Sequence, residues 1–373
     1  MYDVVIIGGG LAGLVSSIQL ATSGLSVLVI EKKVYPFHRV CGEYISNETR
    51  PFLENIGLNI NELDISEINH FQFTSPSGRV LSSPLTLGGF GVSRYKLDFA
   101  LYELAVQKGV TFWLGKNVET VQLKQENATF WQVSTTDGQS SAGRLVLGAY
   151  GKRTKLDALL QRDFFSKRSP YLGVKYHIRT DFPKDLIALH NFQDGYCGIS
   201  AIEDNTFCLC YLTTRENLRQ HGNLATMEQE VLWKNPHLKK IFNESTFLYE
   251  RPEVINEISF APKKAVENGI LMVGDAAGLI TPLCGNGMAM AIHGGKIAAA
   301  WATRFLKNEI SREALEKGYQ ADWQRHFARR LWVGRRVQQL FGDEWLSELT
   351  LSFFKTFPTL LPTLIRQTHG RVF

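Results

Sequence analysis

Apolar positions along this chain follow two rhythms that change place several times. Val4, Val5, Ile6 and Ile7 form an unbroken β-branched run with the length of a fully buried strand. A small-residue stretch from Leu14 to Leu20 continues as helix, Gly24 ends it, and a second strand spans 26–30. The loop from Lys32 to Tyr44 opens a helix with Ser46 or Asn47 near its start. Segment 70–90 alternates around Ser75-Pro76-Ser77-Gly78, which predicts a β-hairpin reaching into a second domain. A helix is expected from Arg94 to Lys108, stopped by Gly109. Strands at 110–114, 118–124, 128–136 and 140–147 follow, the last three as an antiparallel meander turning at Asp137-Gly138. From 164 to 262 strands dominate, at 172–179, 186–192, 196–202, 206–213 and 246–250, with one helix at 223–234. Ile270 to Val273 form another buried strand, a small-residue helix comes after it, and from 311 the chain reads as amphipathic helix.

With 373 residues, 44% of them hydrophobic, the chain can bury a sizeable core, and two domains are expected. The net charge of +5 suits anionic ligands or lipids and is too diffuse to argue for nucleic acid. Five cysteines, an odd number without zinc-type spacing, predict reduced thiols and a cytoplasmic protein. No basic leader and no long uncharged apolar run is present, so neither a signal peptide nor a membrane-spanning helix is expected.

Three places carry chemistry. Gly8, Gly10 and Gly13 fit G-x-G-x-x-G between a strand and a helix. Gly8 allows the tight turn, Gly10 lets a pyrophosphate touch backbone, and Gly13 lets the helix pack on the strand, whose amide end then faces the diphosphate. Glu31, eighteen residues after Gly13, can accept both hydroxyls of an adenosine ribose and would repel a 2′-phosphate. These residues alone leave FAD and NAD open. Arg39 reads either as a phosphate contact or as a solvated loop arginine. The second place is Gly274-Asp275-Ala276-Ala277-Gly278, then Pro282 and Gly285 to Met288, where an acid at a strand end and another helix N-terminus suit a polyhydroxyl chain and an oxygen that becomes anionic. The third is the segment from Arg325 through Arg329, Arg330, Arg335 and Arg336 to the phenylalanine- and leucine-rich stretch 353–365, with no acid after Glu348. It reads as a helical tail with a solvated basic side, or as a patch resting on anionic lipid at the inner face of a membrane.

The order and spacing of Gly8–Gly13 with Glu31, of Gly148–Gly151, and of Gly274-Asp275-Ala276-Ala277 with Pro282 and Gly287 resemble the FAD-dependent p-hydroxybenzoate hydroxylase superfamily, the group A flavin monooxygenases. Val40-Cys41-Gly42-Glu43 and Arg94-x-x-Leu97-Asp98 resemble the geranylgeranyl-reductase-like members in particular. The resemblance covers about residues 1–310. It implies FAD, with Gly8, Gly10, Leu11, Ala12 and Gly13 at the diphosphate, Glu31 and Lys32 at the adenosine, and Arg39 and Arg94 at the diphosphate or ribityl chain. It also implies Val118 at the adenine, Gly274 and Asp275 at the ribityl chain, Pro282 beside the flavin ring, and Gly285, Gly287 and Met288 at the flavin edge. Cys41 falls on the substrate side. Tyr150 stands where related monooxygenases carry Asp, which leaves NAD(P)H open as the reductant, and the 190–200 segment has no tryptophan, which argues against halogenation.

The expected fold is therefore α/β. A Rossmann-like FAD-binding domain (1–69, 91–160 and 264–310) carries a βαβ unit and an antiparallel meander. An inserted antiparallel-sheet substrate domain (70–90 and 161–263) and a C-terminal helical segment (311–373) complete it. The expected activity is FAD-dependent reduction of C=C bonds in a hydrophobic isoprenoid- or polyene-like substrate, with Cys41, Glu43 and Tyr196 as proton-donor candidates. The alternatives are a monooxygenase acting on an aromatic or polyketide-like substrate, and a dehydrogenase passing electrons to a quinone or a protein partner. Partner classes are the hydrophobic substrate, an electron-donor protein and a membrane surface.

Overall fold

The computed structural model describes residues 1–125, 129–166, 169–338 and 343–373. The chain begins with β1 (Tyr2–Ile7), α1 (Leu11–Thr22), β2 (Val27–Glu31), β3 (Tyr44–Ser46), α2 (Arg50–Asn55), β4 (Ser66–Thr74), β5 (Val80–Gly91) and α3 (Arg94–Gln107). It continues with β6 (Thr111–Leu114), β7 (Val118–Gln125), β8 (Thr129–Thr135), β9 (Ser140–Gly148) and α4 (Lys155–Leu159). Next come β10 (Tyr171–Arg179), β11 (Leu186–Phe192), β12 (Gly195–Ala201), β13 (Phe207–Thr214), α5 (Arg215–His221), α6 (Leu224–Glu230), α7 (Pro236–Glu244), β14 (Thr246–Phe247) and β15 (Glu253–Ile258). The last elements are β16 (Val266–Glu267), β17 (Ile270–Met272), α8 (Gly287–Leu306), α9 (Arg312–Gln338), α10 (Glu344–Thr356) and α11 (Leu360–Thr368).

Two sheets result. The first runs β16-β17-β9-β1-β2-β6, and β8 and β7 extend it from β9 as the expected meander. β1 is parallel to both neighbours, Val4 lying opposite Val27 on one side and Leu145 on the other. The chain leaves β1 towards β2 on one side and leaves β9 towards β17 on the other, which opens a crevice at the carboxyl ends of β1 and β9. The β1 side chains Val4, Val5 and Ile6 are fully buried. α1 and α8 pack together so closely that a Cβ on Gly295 would stand 2.9 Å from Ala12 O, and Ser16 Oγ donates to Gly295 O at 3.2 Å. That approach accounts for the run of small residues along α8.

The second sheet runs β14-β10-β13-β12-β11-β4-β5-β3, with β15 also on β10. The β4–β5 hairpin belongs to it, with Phe73 opposite Leu81. An all-antiparallel sheet is corrected in one place: β4 runs parallel to β11, because the hairpin enters from a distant part of the chain. The helix expected at 223–234 is α6, which ends at Glu230, and it lies between two helices that were not expected, α5 and α7. Gly222 at φ +78 and Pro236 at the first turn of α7 separate the three, and Thr214, Asn223 and Asn235 cap them. The strand expected at 246–250 is two residues long, and β15 takes up the pairing on β10 further along. The helix expected to open near Ser46 does so: after the short strand β3 on the edge of this sheet, Ser46 Oγ accepts from Glu48 N and caps a 3-10 turn, Asn47–Thr49, that runs into α2. Arg330, expected on the solvated side of the last helices, is 9% exposed and pairs with Glu48 at 3.3 Å. Residue 128 of the expected second meander strand, 167–168 of the strand-rich region and 339–342 of the helical segment lie outside the described residues. Among the described residues, no helix is long and apolar enough to cross a membrane.

A Cβ on Gly13 would collide with Gly8 O and meet the Ala149 side chain at 3.4 Å. Gly13→Val should therefore lower stability by about 1–3 kcal/mol through overpacking. Urea unfolding checks this, and an unchanged midpoint would show that the helix–strand approach tolerates a side chain.

Candidate active site

Three turns lie side by side at the carboxyl ends of β1, β9 and β17. Gly8 N donates to Ile30 O (2.9 Å), Ala149 N to Ile7 O (2.8 Å) and Val273 N to Gly148 O (3.0 Å). Gly8 has φ +104, and a Cβ there would stand 2.5 Å from Ala149 O, so glycine is required at this junction. A cavity of about 1380 Å³ opens at these turns. That exceeds the roughly 300–1,000 Å³ of a single small-molecule site.

The cavity gathers residues from across the chain. Gly8, Gly10, Leu11, Ala12, Glu31, Lys32, Arg39, Arg94, Val118, Gly274, Asp275, Pro282, Gly285, Gly287 and Met288 all line it, as do Cys41, Glu43 and Tyr196. Gly13 lies behind the wall, against Gly8 O.

Two helices begin on this wall, α1 after Gly10 and α8 after Asn286, and neither has a side-chain cap. Their amide ends keep an uncompensated partial positive charge, which favours an anion at each. Arg39 and Arg94 stand beside the first: their Nη2 atoms lie 4.0 and 3.8 Å from where a Gly10 Cβ would be. Asp98, 1% exposed, orients both, accepting from Arg94 Nε and Nη2 at 2.7 Å each and from Arg39 Nε at 3.1 Å. Glu31 accepts from Gly9 N (2.8 Å), Lys33 N (3.0 Å) and Arg39 Nη2 (3.3 Å). Tyr35 donates its hydroxyl to Gly9 O. Among the described residues nothing donates to the Asp275 carboxylate, while its backbone oxygen accepts from Lys263 Nζ at 2.8 Å. Burial brings the Lys263 ammonium down to about 8.

The proton-donor candidates divide here. Glu43 is fully buried, with a left-handed φ of +55, and is bound by Lys175 Nζ (2.5 Å), His177 Nε2 (2.6 Å) and Arg94 N (2.8 Å). Burial alone would raise its carboxyl, but the Lys175 ammonium and His177 outweigh that and hold it at about 2. A carboxylate so held has no proton to give near neutrality, which corrects the donor role expected for Glu43: its contacts are those of a tie between the 39–43 loop, α3 and β10. Glu43, His177 and Cys208 are close enough to hold a cation, yet Lys175 already compensates that carboxylate. Tyr196 is 3% exposed, and its hydroxyl hydrogen has no acceptor among the described residues. Burial pushes this phenol well above its ordinary value, so it stays protonated. Cys41 lines the cavity as a half-buried free thiol.

Sequence reading missed Lys175 and His177. The available signal was their alternation: Gly173, Lys175 and His177 share one face of β10, while Leu172, Val174 and Ile178 are buried on the other. It also missed the far arm of the cavity, walled by Phe71, Phe73, Leu81, Leu85, Leu189, Leu283, Phe354 and Leu361. Phe354 and Leu361 come from α10 and α11.

Comparison with known proteins agrees with this geometry. A family described as FAD binding domain matches residues 1–326. The chain is similar to Conditioned medium factor receptor 1 of Dictyostelium discoideum, at 25% identity over 97% of this chain and 72% of that protein. It is similar to Digeranylgeranylglycerophospholipid reductase 1 of Methanococcoides burtonii, at 25% identity over 94% of this chain and 87% of that one. Among solved structures, flavin-dependent brominase Bmp2 superposes with a TM-score of 0.81 at 21% identity, over 100% of this chain and 94% of its own. P. aeruginosa PqsL in complex with 2-aminobenzoylacetate does so with a TM-score of 0.75 at 19% identity, over 92% and 98%. These two structures share the fold. The residues present suit FAD: two uncapped helix ends, two oriented guanidiniums and an unengaged carboxylate line one cavity.

Asp98→Ala would leave the half-buried guanidiniums of Arg39 and Arg94 without their shared partner, which should cost about 1–3 kcal/mol. Denaturant unfolding should show that loss, together with flavin lost during gel filtration. A variant that unfolds at the wild-type midpoint and keeps its flavin would remove Asp98 from the cradle. For Glu43 the folded pKa is depressed, so its contribution is present above the ordinary value of 4.5 and fades as pH falls towards about 2. Wild type should lose stability over that window, and Glu43→Gln should show a flatter profile there; parallel profiles in thermal melts would contradict the ion-pair account.

Proposed function

The chain belongs to the FAD-binding domain family, and with it to the FAD-dependent group A flavoproteins, and from that premise we propose that this oxidoreductase reduces carbon–carbon double bonds in a hydrophobic, isoprenoid- or polyene-like substrate. The observation that carries the reading is the continuity of the cavity from the glycine turns into an arm of phenylalanine and leucine side chains. An extended hydrocarbon gains by burial there, at about 25 cal/mol per Å² of apolar surface. Similarity to a protein named for reducing a digeranylgeranyl lipid supports the same substrate class.

In this proposal the amides of Gly8, Gly10, Leu11 and Ala12, with Arg39 and Arg94, hold the FAD diphosphate. Glu31 and Lys32 take the adenosine end and Val118 the adenine. Gly274 and Asp275 take the ribityl chain, and Pro282 flanks the ring. The α8 amide end, from Gly285 to Met288, would meet the edge of the flavin ring that gains negative charge on reduction. FAD held there would supply the reducing chemistry, a hydride and with it an electron pair for one carbon of the double bond. The other carbon needs a proton, and Tyr196 holds one at Oη on the apolar wall. Cys41 is the second source, two residues before Glu43 in the loop that Glu43 fixes. The apolar arm keeps bulk water from the reacting carbons.

The test is anaerobic mixing of dithionite-reduced holoenzyme with a soluble polyprenyl alcohol. Dithionite supplies the electrons whichever reductant, NAD(P)H or a donor protein, serves the enzyme. Return of oxidised-flavin absorbance with a product heavier by two hydrogens is expected. A flavin that stays reduced sinks the reading, and substrate-stimulated oxygen uptake with an oxygen atom in the product replaces it with a monooxygenase. Tyr196→Phe should slow reoxidation by roughly 10²–10⁴-fold while flavin content and dithionite reduction stay unchanged. Wild-type rates in that variant would pass the donor role to Cys41.

A further inference from the structure

We infer that the outward faces of α10 and α11 form a docking surface for an anionic lipid bilayer. α10 is apolar on two opposite sides. Leu351 and Phe354 turn inward and are buried, while Trp345, Leu349 and Phe353 recur four residues apart on the other side, 72%, 51% and 46% exposed. Phe357 (50%) and Leu360 (44%) carry the row to the start of α11. Single exposed apolar residues are ordinary, but a contiguous row with a tryptophan and two phenylalanines marks a contact surface.

Charge selects what covers it. Lys355 and Arg366 are exposed beside the row, and Arg336 lies over the ring of Trp332 at 5.5 Å, itself 55% exposed. Three acids stand at the start of α10: Glu348 is bound to Arg79 at 2.8 Å, Asp343 accepts from Leu346 N at 2.8 Å, and Glu344 is the first residue of the helix; no acid follows Glu348 in the sequence. An apolar strip with exposed cations and a tryptophan at its edge matches the interfacial zone of a membrane rich in negative headgroups. No helix among the described residues can span a bilayer, so the contact is interfacial. The inner faces of the same helices, through Phe354, Leu361 and Ile365, line the apolar arm. If the reductase reading holds, a substrate dissolved in the bilayer meets the arm at the docked face; this clause rests on that reading, and the docking itself does not.

The experiment is sedimentation of purified holoprotein with large unilamellar vesicles of phosphatidylglycerol and phosphatidylcholine, or of phosphatidylcholine alone. Wild type should pellet with the anionic vesicles, at least tenfold more weakly with the neutral ones, and be released by salt. The triple variant Trp345→Ser, Phe353→Ser, Phe357→Ser should lose at least tenfold in partitioning, with bound-flavin absorbance and melting temperature as folding controls. The double variant Lys355→Glu, Arg366→Glu should lose the preference for anionic vesicles and keep its flavin. The inference is overturned if wild type does not pellet, if the folded triple variant pellets equally, or if light scattering shows a wild-type dimer that the triple variant dissolves, which would give the face to a second copy. Vesicle binding without flavin reoxidation by a polyprenyl alcohol would remove the reductase reading and leave the surface standing; the reverse result would remove the surface alone.

Discussion

Two guanidiniums cannot be held against a glycine backbone without a counter-charge, and the cradle of this protein depends on Asp98 to supply it. Arg94 and Asp98 sit one turn apart on α3, so the helix itself sets their spacing. The start of α3 is fixed from outside: Ser93 N donates to Glu203 and Arg94 N to Glu43, each at 2.8 Å. Two carboxylates therefore sit at the amide end of α3, where the helix dipole favours them. The same kind of end is left uncapped on α1 and α8. Protein anions occupy one helix N-terminus to build the frame, and two others stay available to a ligand.

Glu43 links that frame to the second sheet. It follows the loop that carries Arg39 and Cys41, and it meets Lys175 and His177 of β10. Removing three ionisable groups from water is costly, and mutual pairing with good geometry offsets that cost. The arrangement ties the loop, the first turn of α3 and β10 through one carboxylate. Any shift between the two sheets would separate these charges in a low-dielectric setting, so the network resists the motion that would most disturb the cavity.

The first half of the cradle was legible because its constraints are local. A β-branched strand, three glycines, a helix and an acid follow one another within thirty-one residues, and each has a backbone reason. The third turn, at Gly274, was legible for the same reason. Glu43 was found as a site residue and misread as an acid, because a carboxylate's role depends on its neighbours, and Lys175 and His177 lie more than 130 residues away. The arm was not legible, since Phe73, Leu283 and Phe354 have the same apolar signature whether they fill a core or wall a cavity. Around the helix read at 223–234 the sequence reading missed α5 and α7, although Gly222 closes the first and Pro236 opens the second.

Asn286 shows how the last helices bear on the cofactor end. Asparagine just before a helix ordinarily folds back to accept from the first-turn amides. Here its side-chain amide instead donates to Thr368 O of α11 at 2.7 Å, and α8 is left without a side-chain cap. The chain beyond α11 is held in turn, with Gly370 seated so tightly against Glu48 and Arg330 that a Cβ would collide with both, and with Phe373 stacked 3.9 Å from the ring of His293 on α8. The open end of α8 and the position of α11 are thus one structural fact. A shift of α11 would therefore break the hydrogen bond that keeps the Asn286 side chain away from the first-turn amides of α8.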